Sequence, residues 1–363
     1  MRFEERDDPQ ILKPTDAVIR TVATCVCGSD LWSYRGINPV EEPVPFGHEY
    51  VGIVEEVGAE VARIKPGQFV VGSFFASDNT CPNCRNGYQT NCLHREFVGA
   101  GGCQAEKIRI PLADGTLVAT PDLPAEEHIA SLLACSDVMG TGWYAAVAAQ
   151  VQAGDTVAVV GDGAVGLCAV IAARELGAER IIAMSRHASR QHLAREFGAT
   201  DIVAERGDEG VARIKELTGG IGADRVLECV GSAQSMQQAL HATRPGGNVG
   251  FVGVPHDVQI GGTELFHSHV GLRGGPAPVR QFLPDLIDRV LSGRINPGKV
   301  FDLQLPLSQV AEGYQAMDER RAIKAPTARR AVAGRARRRL RCAGGWHGQP
   351  PAPGVWCQRR ASP

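Results

Sequence analysis

At 363 residues the chain is long enough for two domains with separate cores, and its formal charge of −2 gives no reason to expect an acidic partner such as nucleic acid. That balance is uneven, since nine Arg and no acid lie in residues 325–363, leaving an acidic body and a basic tail. No apolar run is long enough to span a bilayer and residues 1–6 lack the apolar core of a secretory signal, so a cytoplasmic location without a membrane partner is expected.

In chain order, the first half predicts a compact β-rich domain, with strands over 17–24, 49–57 and 68–75 separated by Pro and Gly turns. From Gly154 the pattern changes. Short apolar strands over 156–160, 180–184, 199–203, 225–230 and 249–252 alternate with helical stretches, one opening at Ala164 and ending at Gly177. A parallel doubly wound sheet is the expected result. Helices over 279–291 and 307–319, with an extended stretch at 300–302, are expected to return to the first domain. Beyond Lys324, Arg, Ala, Gly and Pro without apolar periodicity predict a disordered tail.

Three groups of residues carry chemistry. Gly161, Gly163 and Gly166 follow an apolar strand and, with Ala164 and Val165, open a helix, which is the context a dinucleotide-binding loop requires. Nineteen residues after Gly166, where an NAD-using enzyme usually carries an acid for the ribose hydroxyls, stands Ser185, followed by Arg186, His187 and Arg190. These cations favour the 2′-phosphate of NADP over NAD. Cys27 and His48 offer a thiolate and an imidazole to zinc, with Asp30 and Glu49 as supporting or alternative ligands. Asp78, Cys81, Cys84 and Cys92 form a second metal-type cluster. Eleven Cys, an odd number containing a Cys-x-x-Cys pair, read as metal ligands rather than a disulfide framework.

On these motifs, residues 10–324 resemble the zinc-dependent alcohol dehydrogenase family of the medium-chain dehydrogenases. The resemblance implies an α/β fold, with a GroES-like β-rich catalytic domain (1–138), a Rossmann doubly wound parallel-sheet domain (139–272), a catalytic return segment (273–324) and the basic tail (325–363). It places the third catalytic ligand four residues before Thr141-Gly142, at Asp137, with Cys135 the competing candidate. It assigns a structural zinc to Asp78, Cys81, Cys84 and Cys92, against the alternative of a lobe that has lost its metal and that His94 does not complete. Ser29 matches the hydroxyl that takes the alcohol proton, while Trp32 stands where a relay histidine is expected. The proton would then leave through the cofactor ribose to water, or by Tyr34, and Trp32 would wall the substrate pocket. The nicotinamide end is expected near Thr141 and the strand at 249–254.

The implied activity is hydride transfer between NADP and a small alcohol or its aldehyde or ketone, by a homodimer or homotetramer. A zinc-free enone or quinone reductase of the same fold, and a non-catalytic nucleotide-binding paralogue with a damaged C-terminus, are the alternatives. The family also leads to an expectation of an apolar strand after Ala322-Ile323-Lys324. The basic composition that stands there instead reads as a shifted reading frame or a functional arm, and a sheet edge is expected to be left uncovered.

Overall fold

The computed structural model of the protein describes residues 1–39 and 42–328. Its β-rich part is organised on strand β1 (Ala17–Cys25), followed by β2 (Tyr50–Val57), β3 (Phe69–Gly72), β4 (Phe75–Ala76), β5 (Glu96–Phe97), β6 (Lys107–Ile110) and β7 (Leu117–Ala119). The predicted strand at 68–75 divides into β3 and β4, and β4 turns away to pair with β5. β1 is buried over most of its length because both its edges are used. Along one edge β2 runs antiparallel from Ala17↔Val57 to Thr24↔Tyr50. The other edge takes β6 against residues 17–20 and, further along, the last described strand against residues 23–25.

The second sheet comprises β8 (Thr156–Val160), β9 (Arg180–Met184), β10 (Asp201–Val203), β11 (Ala223–Glu228), β12 (Thr243–Phe251) and β13 (Gly271–Gly274). All are parallel, in the order β10-β9-β8-β11-β12-β13. The period of two in β8 gives the sheet two apolar faces. Val157 and Val159 pack with Leu167 and Ile171 of the helix Ala164–Glu175, whereas Ala158 and Val160 pack with Ile182, Met236 and Leu240 on the opposite side. The strand order reverses between β8 and β11, so the crevice beyond their C-terminal ends is where this architecture binds ligands. The first core is continuous across both domains, because Leu132, Met139 and Leu283 join Val51 and Phe69 to Val159 and Leu167.

The return to the first domain follows the helix Val279–Leu291 and ends in β14 (Leu305–Pro306), the helix Val310–Asp318 and β15 (Pro326–Ala328). Here the chain departs from expectation. The basic tail was expected from residue 325, with an uncovered sheet edge; instead Ala325 is buried and β15 pairs with β1 through Ala23↔Ala328, Thr24↔Thr327 and Cys25↔Pro326. Three short residues before the first Arg suffice, since β1 supplies the hydrogen-bonding partner and Thr327 is fully buried. The remainder of the predicted tail, 329–363, lies outside the described residues. No helix among the described residues is long and apolar enough to cross a membrane.

Candidate active site

Four potential metal ligands arrive from three separate segments. Cys27 follows β1, His48 and Glu49 precede β2, and Asp137 caps the helix Val138–Ala148. Their ligand atoms all lie within 4.8 Å of one another, and all four residues are buried. Asp137 Oδ2 is 3.2 Å from His48 Nε2 and 3.5 Å from Cys27 Sγ. Its other oxygen accepts from the Thr141 hydroxyl, one turn further along the helix, at 2.8 Å. Cys135 does not join them; it lies in the core, where burial pushes its thiol far above the usual range.

A surrounding layer fixes this group. His48 Nδ1 lies 3.2 Å from Asp30 Oδ1, which aims Nε2 at the cluster, and Asp30 Oδ2 accepts from the Cys27 amide at 2.9 Å. Tyr314, from the return segment, donates to Gln104 at 3.0 Å. Glu49 is held from behind by Lys324 Nζ at 2.5 Å, and Lys324 also donates to the Val26 carbonyl at 3.1 Å. Burial opposes the charge on Lys324, but Cys25, Glu49, Cys27 and Asp137 outweigh it and keep the ammonium protonated well above its ordinary value. Burial likewise opposes the charge on His48, yet Asp30, Cys27 and Asp137 raise its proton affinity. The pocket is therefore rich in anionic donors, and Glu49 Oε2 is buried without a hydrogen-bond partner among the described residues. Thiolate, imidazole and carboxylate at these separations suit Zn²⁺. Sequence reading had not found Lys324, because nothing local marks a lysine as the partner of a glutamate 275 residues earlier.

The second cluster is also assembled. Cys81, Cys84 and Cys92 are buried together, with Cys81 Sγ 3.4 Å from Cys84 Sγ and 3.9 Å from Cys92 Sγ, distances too long for a disulfide. Asp78 Oδ1 lies 3.4 Å from Cys84 Sγ and accepts from the Cys81 amide at 3.0 Å. His94 reaches the other Asp78 oxygen at 2.6 Å. It thus buttresses the carboxylate instead of standing apart from the lobe.

A cleft of about 1070 Å³ runs from the first cluster to the end of the parallel sheet. Cys27, Ser29, His48, Asp137 and Thr141 line one end, with Trp32, Phe74 and Phe97 as walls, while Gly161–Val165 and Val252–Val254 line the middle. Gly161 has φ +120°, and a Cβ on Gly166 would stand 2.0 Å from the Gly161 carbonyl oxygen. In front of Gly163 there is open space, so a phosphate can approach the backbone at the start of the helix. The glycine loop therefore fits a dinucleotide. Trp32 also stacks on His256, with ring centroids 3.5 Å apart.

At the far end one expectation needs correcting. The pocket was expected to lack a carboxylate, but Asp162, inside the glycine loop, accepts from the Ser185 hydroxyl at 2.8 Å and holds Arg190 at 3.2 Å. The acid stands in the glycine loop and not at the end of β9, and the Ser185 hydroxyl brings the two together. Arg186 is exposed and outside the cleft lining, while Arg206 and Arg320, which the sequence reading had missed, belong to it.

Comparison with known proteins agrees with this arrangement. The chain matches the models for the alcohol dehydrogenase GroES-like domain over residues 13–122 and for zinc-binding dehydrogenases over residues 164–287. Zinc-type alcohol dehydrogenase B of Aspergillus flavus is 35% identical over 323 residues, 86% of this chain and 75% of that protein. The solved alcohol dehydrogenase TADH from Thermus sp. ATN1 superposes with a TM-score of 0.83 at 34% identity, covering 91% of this chain and 96% of the other. A zinc-binding dehydrogenase type of protein from Sinorhizobium meliloti 1021, whose structure is bound to NADP, has a TM-score of 0.73 at 26% identity, covering 88% of this chain and 93% of the other.

Proposed function

Because this chain belongs to the zinc-type alcohol dehydrogenase family of medium-chain oxidoreductases, we propose that it oxidises an apolar alcohol, or reduces the matching carbonyl, with zinc on Cys27, His48 and Asp137 and with NADP. The observation that carries this reading is the convergence of those three buried ligands at the end of the cleft that the glycine loop opens. When bound, the metal supplies Lewis acidity to the substrate oxygen and the nicotinamide supplies or accepts hydride.

The residues then have distinct tasks. Asp30 keeps the His48 ring turned toward the ligand group, and Thr141 keeps one Asp137 oxygen occupied so that the other faces the cluster. Ser29, exposed in the cleft two residues from Cys27, would take the alcohol proton. Trp32, Phe74 and Phe97 exclude water and favour an apolar substituent; the two phenylalanine rings flank His48 at about 6 Å. NADP is supported by Arg190, Arg206 and Arg320, which line the cleft together with Asp162. The NADP complex of the Sinorhizobium relative adds to this.

The test is a screen of apolar and polar alcohols, with both cofactors, on protein of measured zinc content. The expected result is zinc-dependent turnover, a larger kcat/KM with NADP and a preference for apolar alcohols. Turnover of enones or quinones alone, unaffected by removal of zinc, would refute the proposal.

A further inference from the structure

The far end of the cleft holds more positive charge than one ion pair uses. Asp162, Arg190, Arg206 and Arg320 all line it. Arg190 Nη1 rests 3.2 Å from Asp162 Oδ1 and 3.3 Å from the Asp162 carbonyl oxygen, and Ser185 occupies Oδ2 at 2.8 Å. Both oxygens of the single carboxylate are therefore engaged. Arg206, just before the helix Gly207–Leu217, and Arg320, just after the helix Val310–Asp318, have side chains that pair with no acid among the described residues. They are within electrostatic reach of one another: burial, then Arg186, Arg320 and Arg190 work against the Arg206 charge, and Asp162 supports it. Three guanidinium groups facing one carboxylate in a cleft make a site that takes an anion.

The two domains contribute separately. Arg190 and Arg206 belong to the parallel-sheet domain, whereas Arg320 belongs to the return segment of the β-rich domain. We propose that Arg206 and Arg320, together with Arg190, form a clamp across the cleft for the 2′-phosphate of the cofactor. Asp162 is the internal anion that this phosphate displaces from Arg190. The inference rests on the NADP reading given above. It adds specificity residues outside the glycine motif and gives a purpose to a carboxylate in a phosphate pocket: it holds Arg190 in place until the phosphate arrives.

The test is calorimetric titration of the zinc-loaded full chain with 2′,5′-ADP and with 5′-ADP, which requires no turnover. Wild type is compared with Arg206→Ala, Arg320→Ala and Asp162→Asn. Each arginine variant is expected to bind 2′,5′-ADP about fivefold more weakly while 5′-ADP changes less than about twofold, and Asp162→Asn to tighten 2′,5′-ADP selectively. Unchanged thermal midpoints would show that the two exposed arginines do not act through folding. Equal weakening of both nucleotides, or an effect of only one arginine, overturns the clamp while the NADP reading stands. Selective tightening absent from Asp162→Asn overturns the role given to that carboxylate. Wild type binding both nucleotides equally overturns the NADP reading and the clamp with it.

Discussion

Asp137 does with one side chain what two others prevent from going astray. Its Oδ1 is tied to Thr141, so only Oδ2 is available to the space shared with Cys27 and His48, whereas Cys135, two residues earlier, faces the core. Asp137→Ala should therefore release the catalytic zinc and lower kcat/KM by at least about a hundredfold, while Cys135→Ala keeps both; metal analysis beside kinetics decides it. Retained zinc in the first variant and lost zinc in the second would reverse the assignment. Cys27, His48 and the three loop glycines were legible from their motifs, and Asp137 only through the family resemblance, which places a ligand four residues before Thr141-Gly142. Lys324, Asp162 and Arg320 were not. Their roles arise from contacts between distant segments, and Asp162 was hidden in plain view as the variable residue of a glycine motif.

At the scale of elements, β9 and β10 are fastened at their starts by Arg180 and Asp201, with Arg180 Nε 2.8 Å from Oδ2 and Nη2 2.9 Å from Oδ1. Arg180 holds the Asp201 carboxyl down at about 2, below its ordinary value. A depressed carboxyl contributes stability above the unfolded-state value near 4 and loses it as pH falls from about 4 through about 2. With Arg180 a third exposed, screening reduces that contribution to about 1 kcal/mol. Asp201→Asn should cost about that much at pH 7 by urea unfolding, with the gap closing as pH falls from 4 toward 2. A gap constant over that range would sink the argument. The strands themselves were legible from apolar runs and glycine turns, apart from β15. Pro326-Thr327-Ala328 has no apolar pattern of its own and becomes a strand only because β1 has a free length of edge. A chain ending after Lys324 should consequently unfold at lower urea than one ending after Ala328, by about 1–3 kcal/mol for the unpaired buried backbone. Equal midpoints for the two would show that β15 contributes nothing.

For the whole molecule, the zinc reading proposed above implies a division of labour between the two candidate clusters. The Asp78, Cys81, Cys84 and Cys92 group brings four protein ligands together, the number that fills a structural zinc site, while the cluster of Cys27, His48 and Asp137 lines the large cleft. Full occupancy should give two zincs per chain, and Cys92→Ala should remove one, lowering thermal stability more than it lowers turnover; loss of turnover with the thermal midpoint intact would contradict that division.

Lys324 has a further meaning when the chain is followed in time. The ribosome delivers it 275 residues after Glu49, roughly 15–55 s later at ordinary synthesis rates, yet its ammonium is the cation beside that buried carboxylate. Glu49 in the β-rich domain can meet this cation only after the whole of the parallel-sheet domain has been made. A polypeptide interrupted anywhere before Lys324 lacks that counter-charge, and Glu49 is then a carboxylate with no cation to accompany it into the interior.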